Sequence, residues 1–244
     1  MPVPLIIGHR GASAVAPENT MAAFREALAV GADGIEFDVR LTRDGVPVVI
    51  HDGTLRRTGG VDQRVAVLSW QELSKVHVGS WFRPGSFANE TVPSLRELFD
   101  LFESNNASLY LEMKCDSAAD HRPLAEACSR LIDEYAFKER VVVECFQLPA
   151  LKILKEIDSD IKTAALFDRV FTDQSVITRA TEIGAMAVAL HHRLARKSLV
   201  EKSKQAGLHV AVWTVDDPTW VQHAREIGID ALITNDPARM IKLG

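Results

Sequence analysis

Apolar and polar positions along the chain follow two periods that take turns. Runs rich in Val, Ile, Leu and Phe occupy residues 5–8, 34–40, 47–51, 108–114, 141–146, 161–167, 185–191, 209–215 and 231–234. Each has the length and composition of a β-strand. Between them lie amphipathic segments, among them ENTMAAFREALAVG, PSLRELFDLFES, PLAEACSRLIDEY, LPALKILKEI, KSLVEKSKQAG and PTWVQHAREIG, whose apolar residues recur at helical spacing. Gly31, Gly207 and Gly228 fall where helices should end, at the position that favours a left-handed residue.

Repeated β-α predicts a parallel sheet covered by helices. With 34–40 and 47–51 counted as two halves of one strand broken at RDG, the chain holds eight units in 244 residues. That is the size of a (β/α)8 TIM barrel. A doubly wound open sheet is the alternative, but it favours a Gly-rich dinucleotide fingerprint, and none follows the first strand. Residues 53–92 break the rhythm with RRTGG, SWQEL and GSWFRPGSFANE. Forty residues are too many for a plain connection, so the expectation is one barrel domain over 1–244 with a small cap inserted at 53–92, after the second strand. SWQE within it has the form of a capping box.

Composition narrows the class without naming it. The chain is 47% hydrophobic and 25% charged with a net charge of -5, which suits a soluble globular protein and offers no global attraction to nucleic acid or to an anionic membrane. No apolar run reaches the roughly 18 residues of a membrane span. MPVPLIIGHRGASA lacks the basic and apolar regions of a secretory leader. The cysteines Cys115, Cys128 and Cys145 form no CxxC pair, and together these features predict a cytoplasmic protein with reduced thiols.

The chemistry lies where strands end. In GIEFDVRLTRDGVPVVIHD, Ile35, Phe37 and Val39 take one face of a strand while Glu36 and Asp38 take the other. A barrel covers both faces, so these carboxylates need compensation. GHRG closes the first strand with His9 and Arg10, HD places His51 at the end of 47–51, and LEMK puts Glu112 and Lys114 on one face. Glu36, Asp38 and Glu112 make an all-oxygen set that suits a hard divalent ion, Mg²⁺ or Ca²⁺. Arg10 and Lys114 supply charge for a phosphate, and His9 and His51 titrate near neutrality as an acid–base pair. Together they suit phosphoester cleavage. Trp213 is placed to wall a substrate pocket, and His191 and His192 are candidates for substrate contact. His77, His121 and His223 read as surface or satisfied core residues. Glu112 and Lys114 as a simple buried ion pair is the plainer alternative.

HRGASAVAPENT, GIEFDVRLTRDGVPVVIHDGTLRRT, PSLRELF, LYLEMK, VAVWTVDD and DALITNDPARM together resemble the glycerophosphodiester phosphodiesterase family, in the family's order and over almost the whole chain. The likeness is to its short cytoplasmic bacterial members. It implies a TIM barrel and hydrolysis of small-molecule glycerophosphodiesters, such as glycerophosphocholine and glycerophosphoethanolamine, to an alcohol and sn-glycerol 3-phosphate. It places the acid–base pair on His9 and His51, a divalent metal (Mg²⁺, with Ca²⁺ as the alternative) on Glu36, Asp38 and Glu112, and the phosphate beside Arg10 and Lys114. Glu18 of APENT recurs in the family, and its place at a helix N-terminus suggests a structural role. Where relatives often carry Ser-Phe, this chain has ECFQ, so Glu144 adds a charge at the barrel end. Two other readings remain: a lysophospholipase D or phosphoinositide phospholipase acting on lipid, and a non-catalytic phosphate- or polyol-binding barrel. Neither nucleic acid nor stable membrane association is expected.

Overall fold

The computed structural model describes residues 3–83, 85–169 and 171–243. Eight parallel strands close on themselves: β1 (Leu5–His9), β2 (Gly34–Leu41), β4 (Ser108–Met113), β5 (Val141–Cys145), β6 (Lys162–Phe167), β7 (Ala187–His191), β8 (His209–Trp213) and β9 (Ala231–Thr234). β1 pairs with both β9 and β2, which shuts the cylinder. Every expected strand is present to within two residues at either end.

One expectation changes. Residues 34–40 and 47–51 are not halves of a single strand. After the turn at Arg43 and Asp44 the chain reverses, and β3 (Pro47–Val49) runs antiparallel to β2, with Val39 opposite Val49. The RDG turn is tight, so it makes a hairpin and leaves β3 outside the barrel. His51 lies two residues past β3, on the loop that follows.

Alternation along each strand divides the barrel into two cores. Ile35, Phe37, Val39, Leu109, Leu111 and Val143 point outward and pack against α1 (Met21–Ala29), α4 (Leu95–Phe102), α5 (His121–Glu134) and α6 (Leu148–Ile157). On the far side α7 (Asp173–Glu182), α8 (Lys197–Gln205), α9 (Thr219–Ile227) and α10 (Pro237–Leu243) cover β6 to β9. α7 sends only Val176 and Ala180 into full burial, which is why its sequence carries so little helical stripe. Inward positions of the same strands hold Ile7, Leu166, Ile233 and a set of alanines. Gly31, Gly207 and Gly228 do adopt positive φ at helix ends.

Between β3 and α4, residues 53–92 form α2 (Arg56–Gly59), a 3-10 turn at Val65–Val67 and α3 (Trp70–Leu73). Ser69 and Glu72 make the reciprocal capping box that SWQE suggests. Leu55, Val65, Leu68, Leu73, Val78 and Val92 pack on Val48 and Ile50 as a small core of their own.

Closure of the barrel leaves little room where β2 meets β4. A Cβ on Gly34 would lie 2.2 Å from the carbonyl oxygen of Ser108, so only glycine fits that crossing. Gly34→Ala should destabilise the fold by about 1–3 kcal/mol, the usual range for overpacking. Urea unfolding followed by circular dichroism measures it; an unchanged midpoint would contradict the tight crossing.

Candidate active site

β1 delivers His9 to the C-terminal end of the barrel, and the chain then folds back sharply. Arg10 and Gly11 both take positive φ, 55° and 83°, and a Cβ on Gly11 would meet backbone of Ala23 at 2.6 Å. Positive φ is unfavourable for arginine, by roughly 1–3 kcal/mol. Here it turns the Arg10 backbone N–H onto Glu36 Oε2 at 3.0 Å. The guanidinium then lies between two carboxylates, with Nε 3.3 Å from Asp38 Oδ2 and Nη1 2.8 Å from Glu18 Oε1.

The inward face of β2 carries Glu36 and Asp38, and the register sets Asp38 beside Glu112 of β4. One oxygen from each of Glu36, Asp38 and Glu112 lies within 4.8 Å of the others, and all three residues are buried. Burial and then the charges of Asp38 and Glu112 push the Glu36 carboxyl well above the ordinary range. Burial raises Glu112 to about 7, with Lys114 opposing and Asp38 reinforcing. Asp38 goes the other way: against the penalty of burial, Lys114, Arg10 and His51 hold it well below the usual carboxylate value. Lys114 Nζ bridges Glu112 Oε1 at 2.6 Å and Asp38 Oδ1 at 3.1 Å. The plain ion pair between Glu112 and Lys114 therefore forms, but it shares one lysine between two carboxylates. Asn19, itself at φ 56°, donates to Asp38 Oδ2 at 2.7 Å.

The two histidines are held differently. His9 Nδ1 lies 2.7 Å from Asn235 Oδ1. The orientation of that amide is set by Asp216, which accepts from Asn235 Nδ2 at 2.8 Å and from its backbone N–H at 2.7 Å. An amide oxygen only accepts, so the His9 proton is on Nδ1 and Nε2 is free. Burial, then Arg10, lowers the His9 pKa to about 4. His51 Nδ1 instead donates to the Asp52 carboxylate at 2.7 Å. Burial lowers its pKa too, with Asp38 and Asp52 opposing.

His9, Arg10, Glu36, His51, Glu112, Lys114 and Trp213 line one cavity of about 210 Å³ at the strand ends. Asp38 is fully buried and does not reach its wall. His191 and His192 stack on each other at 4.2 Å and lie outside the lining; His191 touches the site only through Trp213, 5.1 Å away. His121 is buried and bonds Gln147. No described residue of 53–92 lines the cavity. A larger groove of about 490 Å³ shares Lys114 but holds neither histidine.

A glycerophosphoryl diester phosphodiesterase family model matches residues 9–239. The chain belongs to that family. A glycerophosphodiester phosphodiesterase of Caldanaerobacter subterraneus is 34% identical over 98% of this chain and 97% of its own. Among solved structures, a phosphodiesterase of Oleispira antarctica in complex with the product sn-glycerol-3-phosphate superposes with a TM-score of 0.91 at 26% identity, covering 99% of this chain and 96% of that one. A glycerophosphodiester phosphodiesterase of Agrobacterium tumefaciens gives 0.82 at 27%, covering 98% and 99%. The chain is thus a phosphoric diester hydrolase acting on glycerophosphodiesters.

Within this phosphodiesterase the carboxylate set fits a divalent ion. Three buried oxygens face one another and two of their carboxyls are driven toward protonation, a conflict that a cation relieves. Four supporting residues were not assigned roles from sequence. Asn19, Asp52, Arg57 and Asn235 all lie inside the family motifs, but a motif does not say what a side chain touches.

Arg57 of α2 is the least expected of them. Its guanidinium binds both oxygens of Glu18 at 2.7 Å and Asp52 Oδ2 at 2.7 Å. Glu18 in turn holds Arg10, and Asp52 holds His51. Glu18 therefore brackets two arginines and does not cap α1, whose cap is Thr20. Arg57→Met should lower kcat about 10–100-fold, the usual effect of losing an orienting partner, with a smaller change in KM. Asp52→Asn should fall similarly, and the double variant should lose less than the product of the two single losses, because Arg57 reaches His51 through Asp52. Steady-state kinetics on glycerophosphocholine decides; multiplicative losses would break the link.

Proposed function

We propose that this enzyme hydrolyses small glycerophosphodiesters, such as glycerophosphocholine and glycerophosphoethanolamine, with a divalent ion held by Glu36, Asp38 and Glu112. The observation that carries the reading is the approach of those three buried carboxylates within 4.8 Å of one another, beside two histidines whose Nδ1 atoms are both engaged. Mg²⁺ suits the all-oxygen donors and the few protein ligands, and Ca²⁺ is the other hard ion they accept. When bound, the ion supplies Lewis acidity at a phosphoryl oxygen.

The protein groups divide the proton transfers between them. His9 is held neutral because burial and then Arg10 outweigh the Asn235 amide, which favours the charged ring; its Nε2 lone pair takes the proton from the attacking oxygen. His51 rests on a carboxylate, and a phosphodiester anion beside it adds to Asp38 and Asp52 in favouring the imidazolium; it gives its proton to the leaving alcohol. Arg10 and Lys114 line the cavity beside the carboxylates, where their cationic groups would meet phosphate oxygens. Trp213 walls the far side. The non-catalytic alternative would require a missing histidine or carboxylate, and none is missing.

Residues 53–92 are an inserted unit of the single barrel domain, and their contribution to the reaction runs through Arg57. The free thiols of Cys115, Cys128 and Cys145 support a cytoplasmic setting, and the net charge of -5 opposes stable binding to anionic membranes or nucleic acid. Among the described residues no helix is long and apolar enough to cross a membrane.

EDTA should abolish diesterase activity, and Mg²⁺ or Ca²⁺ should restore it; full turnover in a metal-free preparation would sink the carboxylate assignment. His9→Ala and His51→Ala should each lower kcat by roughly 10²–10⁴-fold, the range for general acid–base catalysis. The pH profile adds a sign. A base with its pKa lowered to about 4 stays active when neutral, so activity survives acidification and fails only as the ring protonates. At saturating metal the acid limb of kcat/KM should therefore lie below the ordinary histidine value of 6.5 and disappear in His9→Ala; a limb at or above 6.5 would contradict His9 as the base.

A further inference from the structure

The mouth of the barrel has a charged half and an apolar half. β1, β2 and β4 supply the histidine, carboxylates and cations. Opposite them, the inward positions of β6 to β9 are Leu166, Ile233 and alanines 164, 189 and 211. Two polar atoms border this half without a hydrogen-bond partner among the described residues, Nε1 of Trp213 on β8 and Oε2 of Glu144 on β5, where the two halves meet. Both side chains line the cavity of about 210 Å³. Glu144 is 1% exposed. It stands beside Glu112 in the strand register, yet it takes part in none of the ion pairs around the carboxylate cluster.

Neither atom is a packing accident. A buried carboxyl oxygen left unbonded is costly, and beside so many alanines an apolar residue at 144 would avoid that loss. The Trp213 indole is fixed between two edge-to-face rings, Phe146 at 5.7 Å and His191 at 5.1 Å, so its N–H cannot swing away to find another acceptor. The indole N–H only donates, while the Glu144 carboxyl, pushed well above the ordinary range by burial and then by Glu112, accepts through one oxygen and can donate through the other. That is the complement of a hydroxyl, which does both.

We propose that Glu144 and Trp213 form a subsite that reads the glycerol moiety of the substrate, Glu144 accepting from its terminal hydroxyl and the Trp213 N–H donating to a glycerol oxygen. This inference rests on the hydrolase reading above. The glycerol is the better occupant for three reasons. It is common to every glycerophosphodiester, so a small rigid cavity can be built around it, while the variable head group needs an open path. It keeps free hydroxyls after esterification, whereas an esterified choline has none. Its methylenes suit Leu166 and Ile233. Lys114, with Nζ 6.0 Å from the centre of the Phe146 ring, marks the border between the phosphate half and this one.

The experiment compares glycerophosphocholine with the matching diester of 1,2-propanediol, which keeps the hydroxyl next to the phosphate and lacks the terminal one. Sites built to bond a hydroxyl reject analogues without it strongly, so the native enzyme should prefer the glycerol diester by about 100-fold or more in kcat/KM. In Glu144→Leu that ratio should collapse to below about tenfold, and Trp213→Phe should narrow it. Glu144→Gln, which keeps an acceptor, should retain most of the preference and provides the test should the leucine variant fail to fold. Titration with Mg²⁺ should give the same affinity for native and Glu144→Gln protein. Equal losses on both substrates with weakened Mg²⁺ binding would overturn the proposal and place Glu144 in the metal site. An undiminished ratio in both Glu144 variants would overturn it as well. A native protein that cleaves neither diester would overturn both this proposal and the hydrolase reading.

Discussion

Three carboxylates on the inward faces of two neighbouring strands cannot share a buried space unless cations surround them. Much of the site can be traced to that constraint. Arg10 accepts an unfavourable backbone conformation, which aims its N–H at Glu36 and its guanidinium at Asp38. Lys114 bridges Asp38 and Glu112 from the strand that carries Glu112. Asn19, also at positive φ, fills the remaining face of Asp38. In this arrangement Asp38 is the best compensated of the three and Glu36 and Glu112 are the least, so it is the latter two that a divalent ion would relieve most.

Compensation also extends outward. The carboxylates that steady the cations are themselves steadied: Glu18 lies between Arg10 and Arg57, and Arg57 between Glu18 and Asp52. This chain joins the loop after β1, the loop after β3 and the first helix of the inserted segment. Its outer members are partly exposed, with the Arg57 side chain at 42%, so its value lies in orientation more than in stability. The segment 53–92 thus meets the active site as a brace at its rim.

The two histidines show how one residue type is given two characters. His9 is backed by an amide from the far end of the chain, which fixes a tautomer and favours charge too little to offset burial and Arg10. His51 is backed by the adjacent carboxylate, which does favour charge. His9 Nε2 lies 3.8 Å from Glu36 Oε2, so its second nitrogen faces the carboxylate cluster.

Much of this was legible in the amino-acid sequence, for physical reasons. Alternation at 34–40 and 108–114, with helical stripes between strands, determined the barrel and which side chains point inward, because period and burial are local consequences of backbone geometry. The convergence of His9, Arg10, Glu36, Glu112 and Lys114 followed, since residues at the ends of barrel strands meet, whereas His51 joins them from the loop after β3. Tertiary structure decided the rest. Whether 47–51 continued a strand or turned back depended on the dihedrals of one tight turn, and the pattern is the same for both. That Asn235 would hold His9 across 226 residues, that Arg57 would clasp Glu18, and that Glu144 Oε2 would find no hydrogen-bond partner among the described residues depend on how distant segments meet. Periodicity says which way a side chain points, but only the closed barrel decides what it finds there.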